Sequence, residues 1–331
     1  MNKHLEFSIC ISILNEEEHL EKCIESIIES SKDFRCELLF LNNGSSDTSG
    51  EILNRYEALD NFNIITLSET VELQSARNML LNRCKSNLAV FLDADGQVST
   101  NYFSTLVKNL SKDISIYSGP VSEQSSRANI FYELHYLSLI KSDQNFLIGA
   151  NFVVKVSDAL KVGGFPDITY KRGDETALIK LMKENGFKQQ YVDELTASNH
   201  FVSNPIDFIG SFYYEGQNAF LYMLYFNESL IFKSIYKSIF ITGFVLFFIA
   251  LSMMNHYIFF LGLLVFLAKF SYQHKYWLSL FSQYKKMISL ESTKGLLLTL
   301  LAHIAHELGF WHSMLINKKP KAWLDHSKEL N

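Results

Sequence analysis

The first hundred residues alternate short apolar runs with polar clusters, and the spacing of apolar positions changes from segment to segment. Phe7–Leu14, Glu37–Leu41, Asn63–Leu67 and Leu88–Leu92 are short and nearly unbroken, which is the pattern of strands covered on both faces. Between them the spacing turns helical. Leu20, Cys23, Ile24, Ile27 and Ile28 share one helix face, and further helices are predicted over Ser49–Leu59 and Val71–Cys84, the former N-capped by Asp47 or Ser46. This alternation predicts an α/β fold with a mostly parallel central sheet and helices on both faces. Three polar clusters, NEEE, NNGSSDT and DADG, each follow a strand. They therefore converge on one sheet edge, where open α/β sheets hold their ligands.

The stretch FLDADG ends the fourth strand with two carboxylates, Asp93 and Asp95. Burying a carboxylate is costly unless a cation or a donor compensates it. The pair is expected just beyond the strand's carboxyl end, and the alternative is a solvated Asp-Gly turn.

Composition changes the picture mainly in the back half. Of the total charge of −5, residues 205–331 contribute +4, from eleven Lys and seven Asp/Glu, so the front 204 residues carry −9. The four cysteines (Cys10, Cys23, Cys36, Cys84) fit no metal spacing and read as reduced thiols. The apolar stretch ahead of the first acids is too short for a signal peptide. No internal repeat and no nucleic-acid-binding pattern is seen.

In order along residues 7–200 stand SICISILNEEEHLEKCIESI, LLFLNNGSSDTS, SARNMLLNRCKSNLAVFLDADG, GANFVVKVSDALKVGGFPD and GDETALIKLMKENGF. In this the chain resembles the glycosyltransferase family 2 catalytic domain, a GT-A nucleotide-sugar-binding fold. The resemblance implies that Asp95, last of an Asp-X-Asp, binds Mg²⁺ or Mn²⁺, while Asp93 reaches the donor's ribose or a metal-bound water. Oxygen ligands and a hard cation suit a departing diphosphate. Asn15, Glu16, Asn42 and Asn43 fall where the family holds base and ribose, and Arg77 at a position near the nucleotide. Family members usually carry Asp at the position of Asn42, and often at Asn43 too, which leaves the donor's base open; a solvated turn is the alternative for Asn42. Read alone, Arg77 is a surface helix residue.

The resemblance also places the general base in GDETALIKL. The family pattern Glu-Asp-X-X-Leu, aligned on Leu178, puts Glu175 at the base and Asp174 beside it as positioning partner, with their exchange as the alternative. Both also suit a helix start. His200 matches a position that supplies some members with a metal or diphosphate ligand; a structural histidine is the alternative. Gly149-Ala150-Asn151 and Gly163–Asp167 resemble segments lining the donor sugar and acceptor. Inversion at the anomeric carbon follows from the resemblance. The Gln-X-X-Arg-Trp of processive members is missing after the base, since Arg172 is the last arginine, so one sugar per encounter is expected.

The back half reads as membrane-associated. Ser238–Met254 is uncharged, and Tyr257–Ala268 is a second apolar run. The expected arrangement is a catalytic domain over 1–204, an aromatic interfacial helix and linker over 205–235, a transmembrane hairpin over 236–272, and amphipathic surface helices with a basic tail over 273–331. The residues 296–315 carry His303, His306, Glu307 and His312, and are expected to lie on the membrane surface. Together these features predict a metal-dependent transferase anchored to a bacterial inner membrane with its catalytic domain facing the cytoplasm. It would move one sugar from a nucleotide-diphosphate donor to a saccharide or lipid-linked acceptor in surface-glycan assembly. The alternatives are transfer to polyprenyl phosphate and a non-catalytic scaffold.

Overall fold

The apolar runs are strands in the computed structural model, which describes residues 6–124, 149–167, 173–201 and 204–226, together with 301, 304–306, 308–313 and 315. They are β1 (Phe7–Ile13), β2 (Cys36–Asn42), β3 (Phe62–Thr66) and β4 (Leu88–Leu92), paired in parallel in the order β3-β2-β1-β4. Successive strand residues face opposite ways. Leu88, Val90 and Leu92 accordingly enter one hydrophobic cluster, while Ala89 and Phe91 enter the other, on the far face of the sheet. Their burial on both faces explains why the sequence reads as unbroken apolar runs.

The connecting helices are α1 (Leu20–Ser31), α2 (Ser49–Asn54) and α3 (Leu73–Leu81). Helix α2 is shorter than its spacing predicts, because Arg55 N–H closes it on Ile52 and Leu53 carbonyls and turns follow. Beyond β4 come β5 (Gln97–Val98), α4 (Tyr102–Asn109), β6 (Ile114–Ser118), β7 (Val121–Glu123), β8 (Asn151–Lys155), α5 (Val156–Lys161), α6 (Asp174–Glu184), β9 (Lys188–Tyr191) and β10 (Ala197–Asn199). The sheet extends to seven strands, β3-β2-β1-β4-β8-β6-β9, in which β8 alone runs against the rest; β5-β10-β7 form a second, small sheet. The β4–β8 register sets Phe91 against Phe152, with stacked rings 5.0 Å apart, and Asn151 beside Leu92 at the edge where the polar clusters gather.

The described residues fall into two compact units, the first within residues 6–201 and the second from Asn204 onward. In the second unit α7 (Pro205–Tyr225) is capped by Asn204, whose Oδ1 accepts from Asp207 N–H at 2.9 Å.

The expected membrane anchor is overturned for the described part of the chain. Among the described residues no helix is long and apolar enough to cross a membrane. The reason is visible in α7, where Asp207, Glu215, Gln217 and Asn218 interrupt the aromatic run. The stretch 301–315, expected on a membrane surface, is helical where described and packs on α7 instead. Phe310 meets Phe220 edge-on at 5.3 Å, and Tyr213 and Gln217 both hydrogen-bond His312 Nδ1. Among the described residues the fold is thus corrected to α/β with no membrane-associated helical region, and the transmembrane and inner-membrane assignments find no support there. The hairpin expected over 236–272 lies outside the described residues.

Gly119, between β6 and β7, is a point where two segments touch: a Cβ there would stand 2.0 Å from the carbonyl oxygen of Leu195. Since backbone rather than a movable side chain is in the way, Gly119→Ala is expected to destabilise the fold by about 1–3 kcal/mol or more, read as a lowered urea midpoint.

Candidate active site

The loops after β1 and β2 are zipped together by side chain–backbone hydrogen bonds. Asn15 Oδ1 accepts from Ser46 N–H at 2.8 Å, and Asn15 N–H donates to Ser45 Oγ at 3.1 Å, with Asn15 itself in the left-handed region (φ 58°). Glu16 N–H donates to Ser49 Oγ at 2.9 Å. Glu17 N–H donates to Asp47, while its own carboxylate accepts from Thr48 N–H and Oγ–H. Sequence reasoning brings these clusters to one edge; the structure shows them bonded to each other.

Asn42 and Asn43 face inward. Asn42 Oδ1 accepts from Ser45 N–H at 3.0 Å. Asn43 binds a single residue at both ends, with Nδ2 donating to the Val71 carbonyl at 2.8 Å and Oδ1 accepting from Val71 N–H at 2.9 Å. The Asn42 amide braces the loop after β2, and the Asn43 amide holds the loop that leads into α3.

Helix α3 supplies the centre of the site. Gln74, Arg77 and Asn78 stand at helical spacing and face into the protein. Asn78 grips Phe165 through its N–H and C=O at 2.8 and 2.7 Å, and Gln74 donates to Asp167 at 2.8 Å. Between them Arg77, its side chain only 6% exposed, reaches three carboxylates. Nη1 donates to both oxygens of Asp174 at 3.0 Å and approaches Glu175 Oε2 at 3.5 Å; Nη2 donates to Asp93 Oδ1 at 3.0 Å and to the Gly149 carbonyl at 3.3 Å. Its guanidinium also lies 5.7 and 6.0 Å from the Phe152 and Phe165 ring centres. Burial works against the guanidinium's charge, but Asp174, Asp93 and Glu175 outweigh it and raise its pKa further. Arg77 is therefore no surface residue. Gln74 and Asn78 were missed as site builders, although their spacing around Arg77 was visible in the sequence.

The structure separates the two acids of the GDET turn. Asp174 is 1% exposed and is held by Arg77, whereas the Glu175 side chain is 13% exposed. The Glu175 carboxylate lies against Gly149, where a Cβ would meet its Oε2 and Cδ at 2.9 Å. Burial, then the neighbouring Asp174, push the Glu175 pKa up to about 7, against the lowering effect of Arg77.

Around the DADG turn negative charge accumulates. Burial, then Asp93 and Glu16, raise Asp95 to about 8, with an Asn199 hydrogen bond acting the other way. Burial, Asp93 and Asp47 raise Glu16 to about 7. Asn199 Oδ1 is buried and has no hydrogen-bond partner among the described residues. An orphaned carbonyl oxygen beside a carboxylate pair short of positive charge is an oxygen-only donor set, which fits a hard divalent cation. No group of three or more His, Cys, Asp and Glu side chains among the described residues is arranged to hold one unaided. His200 stacks on His19 with ring centres 3.9 Å apart, and burial followed by the His19 charge lowers its pKa. Asn151, on a segment expected to line the sugar site, is fully buried. It accepts from Tyr102 Oη–H at 2.7 Å and donates to the Leu195 carbonyl at 2.7 Å.

Residues 8–159 match the family described as Glycosyl transferase family 2. Over 103 residues the chain is 32% identical to Glycosyltransferase GlyA of Streptococcus pneumoniae serotype 4 (strain ATCC BAA-334 / TIGR4), covering 31% of this chain and 15% of that protein. Over 127 residues it is 25% identical to Glycosyltransferase GlyG of the same strain, covering 38% and 42%. The chain thus spans less than half the length of either relative. A mannosyltransferase from Pyrobaculum calidifontis, PcManGT, solved in complex with GDP-Man and Mn²⁺, superposes with a TM-score of 0.60 over 96% of this chain and 89% of its own, at 13% identity. That likeness shows a shared fold. The matches thus make residues 8–159 similar to family 2 glycosyltransferases.

Removing the guanidinium would leave Asp93, Asp174 and Glu175 crowded without their cation. Arg77→Met is therefore expected to cost about 3–5 kcal/mol of unfolding free energy, measured by urea titration at pH 7.5. A cost below about 1 kcal/mol would show that the cluster does not depend on it.

Proposed function

We propose that the chain is an inverting, metal-dependent glycosyltransferase that moves a single sugar from a nucleotide-diphosphate donor to an acceptor hydroxyl, as in surface-glycan assembly. The observation that carries this is Arg77, which ties Asp93 of the DADG turn to the Asp174–Glu175 pair. Groups suited to hold a diphosphate and groups suited to move a proton thereby meet at one sheet edge.

Glu175 is the proposed base. It is the more exposed of the two acids, and a pKa near neutrality lets it take a proton from an acceptor hydroxyl and still be ionised at physiological pH. Asp174 positions it, since Arg77 holds Asp174 in place. Gly149, lacking a side chain, makes room for the Glu175 carboxylate, which a Cβ there would meet at 2.9 Å. Asp95, with Asn199 Oδ1 beside it, would hold Mg²⁺ or Mn²⁺, which when bound offsets the charge growing on the departing diphosphate. Asp93, anchored by Arg77 yet with 37% of its side chain exposed, remains available to the ribose or a water on the cation. Glu16 stands on the same rim. The donor's base is proposed to fall to groups other than the Asn43 amide, which is held by Val71 through one donor and one acceptor.

Two measurements test this. Turnover should fall below about pH 7 as Glu175 protonates, and Glu175→Gln should lower kcat by about 10²–10⁴-fold while flattening that limb. Unchanged turnover in Glu175→Gln would point to an acceptor that is already an anion. Separately, UDP or GDP with Mn²⁺ should raise the melting temperature, the more so as ligand exceeds its Kd. The shift should vanish in Asp95→Ala; a shift that survives without metal and in Asp95→Ala would remove the metal role.

A further inference from the structure

At the edge of the sheet opposite the active site, a buried carboxylate clamps the turn that follows α3. Glu37, at the start of β2, accepts from Ser8 Oγ–H and from Lys85 N–H at 2.5 Å. Ser86 N–H donates to Ser8 Oγ at 3.2 Å, and the two hydroxyls are 2.7 Å apart. This clamp fixes residues 84–86 against β1 and brings Cys84 Sγ to 3.5 Å from Cys10 Sγ. Cys10 is buried and Cys84 only half-buried. The sulfurs are 74 positions apart in the chain and touch because the fold holds them there.

We infer that Cys10 and Cys84 form a thiol–disulfide exchange site, in which the accessible Cys84 takes up a small-molecule disulfide and Cys10 resolves it into an intramolecular bond. Cys84 attacks one sulfur of RSSR, forming a mixed disulfide and releasing one RSH. Cys10 then attacks Cys84 Sγ, expelling the second RSH. The two cysteines lose two electrons and both thiol protons, and the RSSR bond is reduced. The order follows from access, since an oxidant reaches Cys84 first. It also follows from Cys10 itself: burial, then the contact with Cys84 and the charge of Glu37, hold its thiol well above the usual range, so it is a poor initiator. Bond formation draws the sulfurs together to about 2.05 Å, a modest movement for two side chains already in contact. Cys23 and Cys36, both buried, have no sulfur contact of this kind among the described residues. The product would staple the turn after α3, the helix that carries Arg77, to β1. The inference does not rest on the transferase reading.

The test treats the reduced full chain with oxidised glutathione and follows intact mass, peptide mapping and thermal melting. The expected result is loss of two hydrogens, a Cys10–Cys84 cross-linked peptide, reversal by dithiothreitol, and a melting temperature raised by several degrees through closure of a long loop. Cys84→Ser should show neither cross-link nor shift. Cys10→Ala should stop at a stable glutathione adduct on Cys84, which tests the order of events independently. Wild-type protein that ends as a lasting glutathione adduct, or that shows no change in mass, overturns the inference.

Discussion

The buried guanidinium of Arg77 is the contact on which the site depends. A charge this far from water is tolerable only if paired and hydrogen-bonded on every side. Arg77 meets that demand with Asp93, the Gly149 carbonyl and the adjacent Asp174 and Glu175, which belong to three separate stretches of chain. The requirement therefore runs both ways. The carboxylates keep the arginine ionised in the interior, and the arginine fixes where the DADG turn stands relative to the start of α6.

One cation does not neutralise this region. Asp93, Asp174 and Glu175 share the single Arg77 guanidinium, Glu16 and Asp95 lie within the field of Asp93, and the imbalance appears as raised pKa values at Glu16, Asp95 and Glu175. Those near the DADG turn, Glu16 and Asp95, owe their shifts to burial first and then to the charge of Asp93. Glu175 differs, since Arg77 lowers its pKa while burial and Asp174 raise it. The two halves of the site are thus tuned by different neighbours. One is left short of positive charge, and the other is balanced near neutrality. An anionic diphosphate would be repelled by the first half unless a cation arrived with it, so the excess of acid and the reading as a metal-dependent transferase belong together.

Much of the sheet was legible because its strands are covered on both faces and its helices are not. LAVFL reads as a strand since Leu88, Val90 and Leu92 bury on one side while Ala89 and Phe91 bury on the other. The meeting of NEEE, NNGSSDT and DADG followed from strand order alone. The role of Arg77 did not, because an arginine on an amphipathic helix has a solvated default and its partners lie up to 98 positions away. The back half misled for a related reason. Aromatic runs on α7 and the stretch near Phe310 have the hydropathy of a membrane surface, but a second helix satisfies them equally well, and hydropathy does not say which partner covers an apolar face.

The asparagine at position 43, where members of the family it resembles often carry aspartate, has a structural explanation. Asn43 grips both the N–H and the C=O of Val71, and Asn78 does the same to Phe165. Each amide imitates one step of strand pairing where the chain is too irregular to form a strand. An ionised carboxylate only accepts. Aspartate at either position would leave a main-chain carbonyl without its donor and set a negative charge against it. Asparagine at position 43 therefore follows from how the loop entering α3 is held. That loop sets the position of α3, and α3 carries Arg77, so the departure from the pattern serves the same guanidinium that organises the acids.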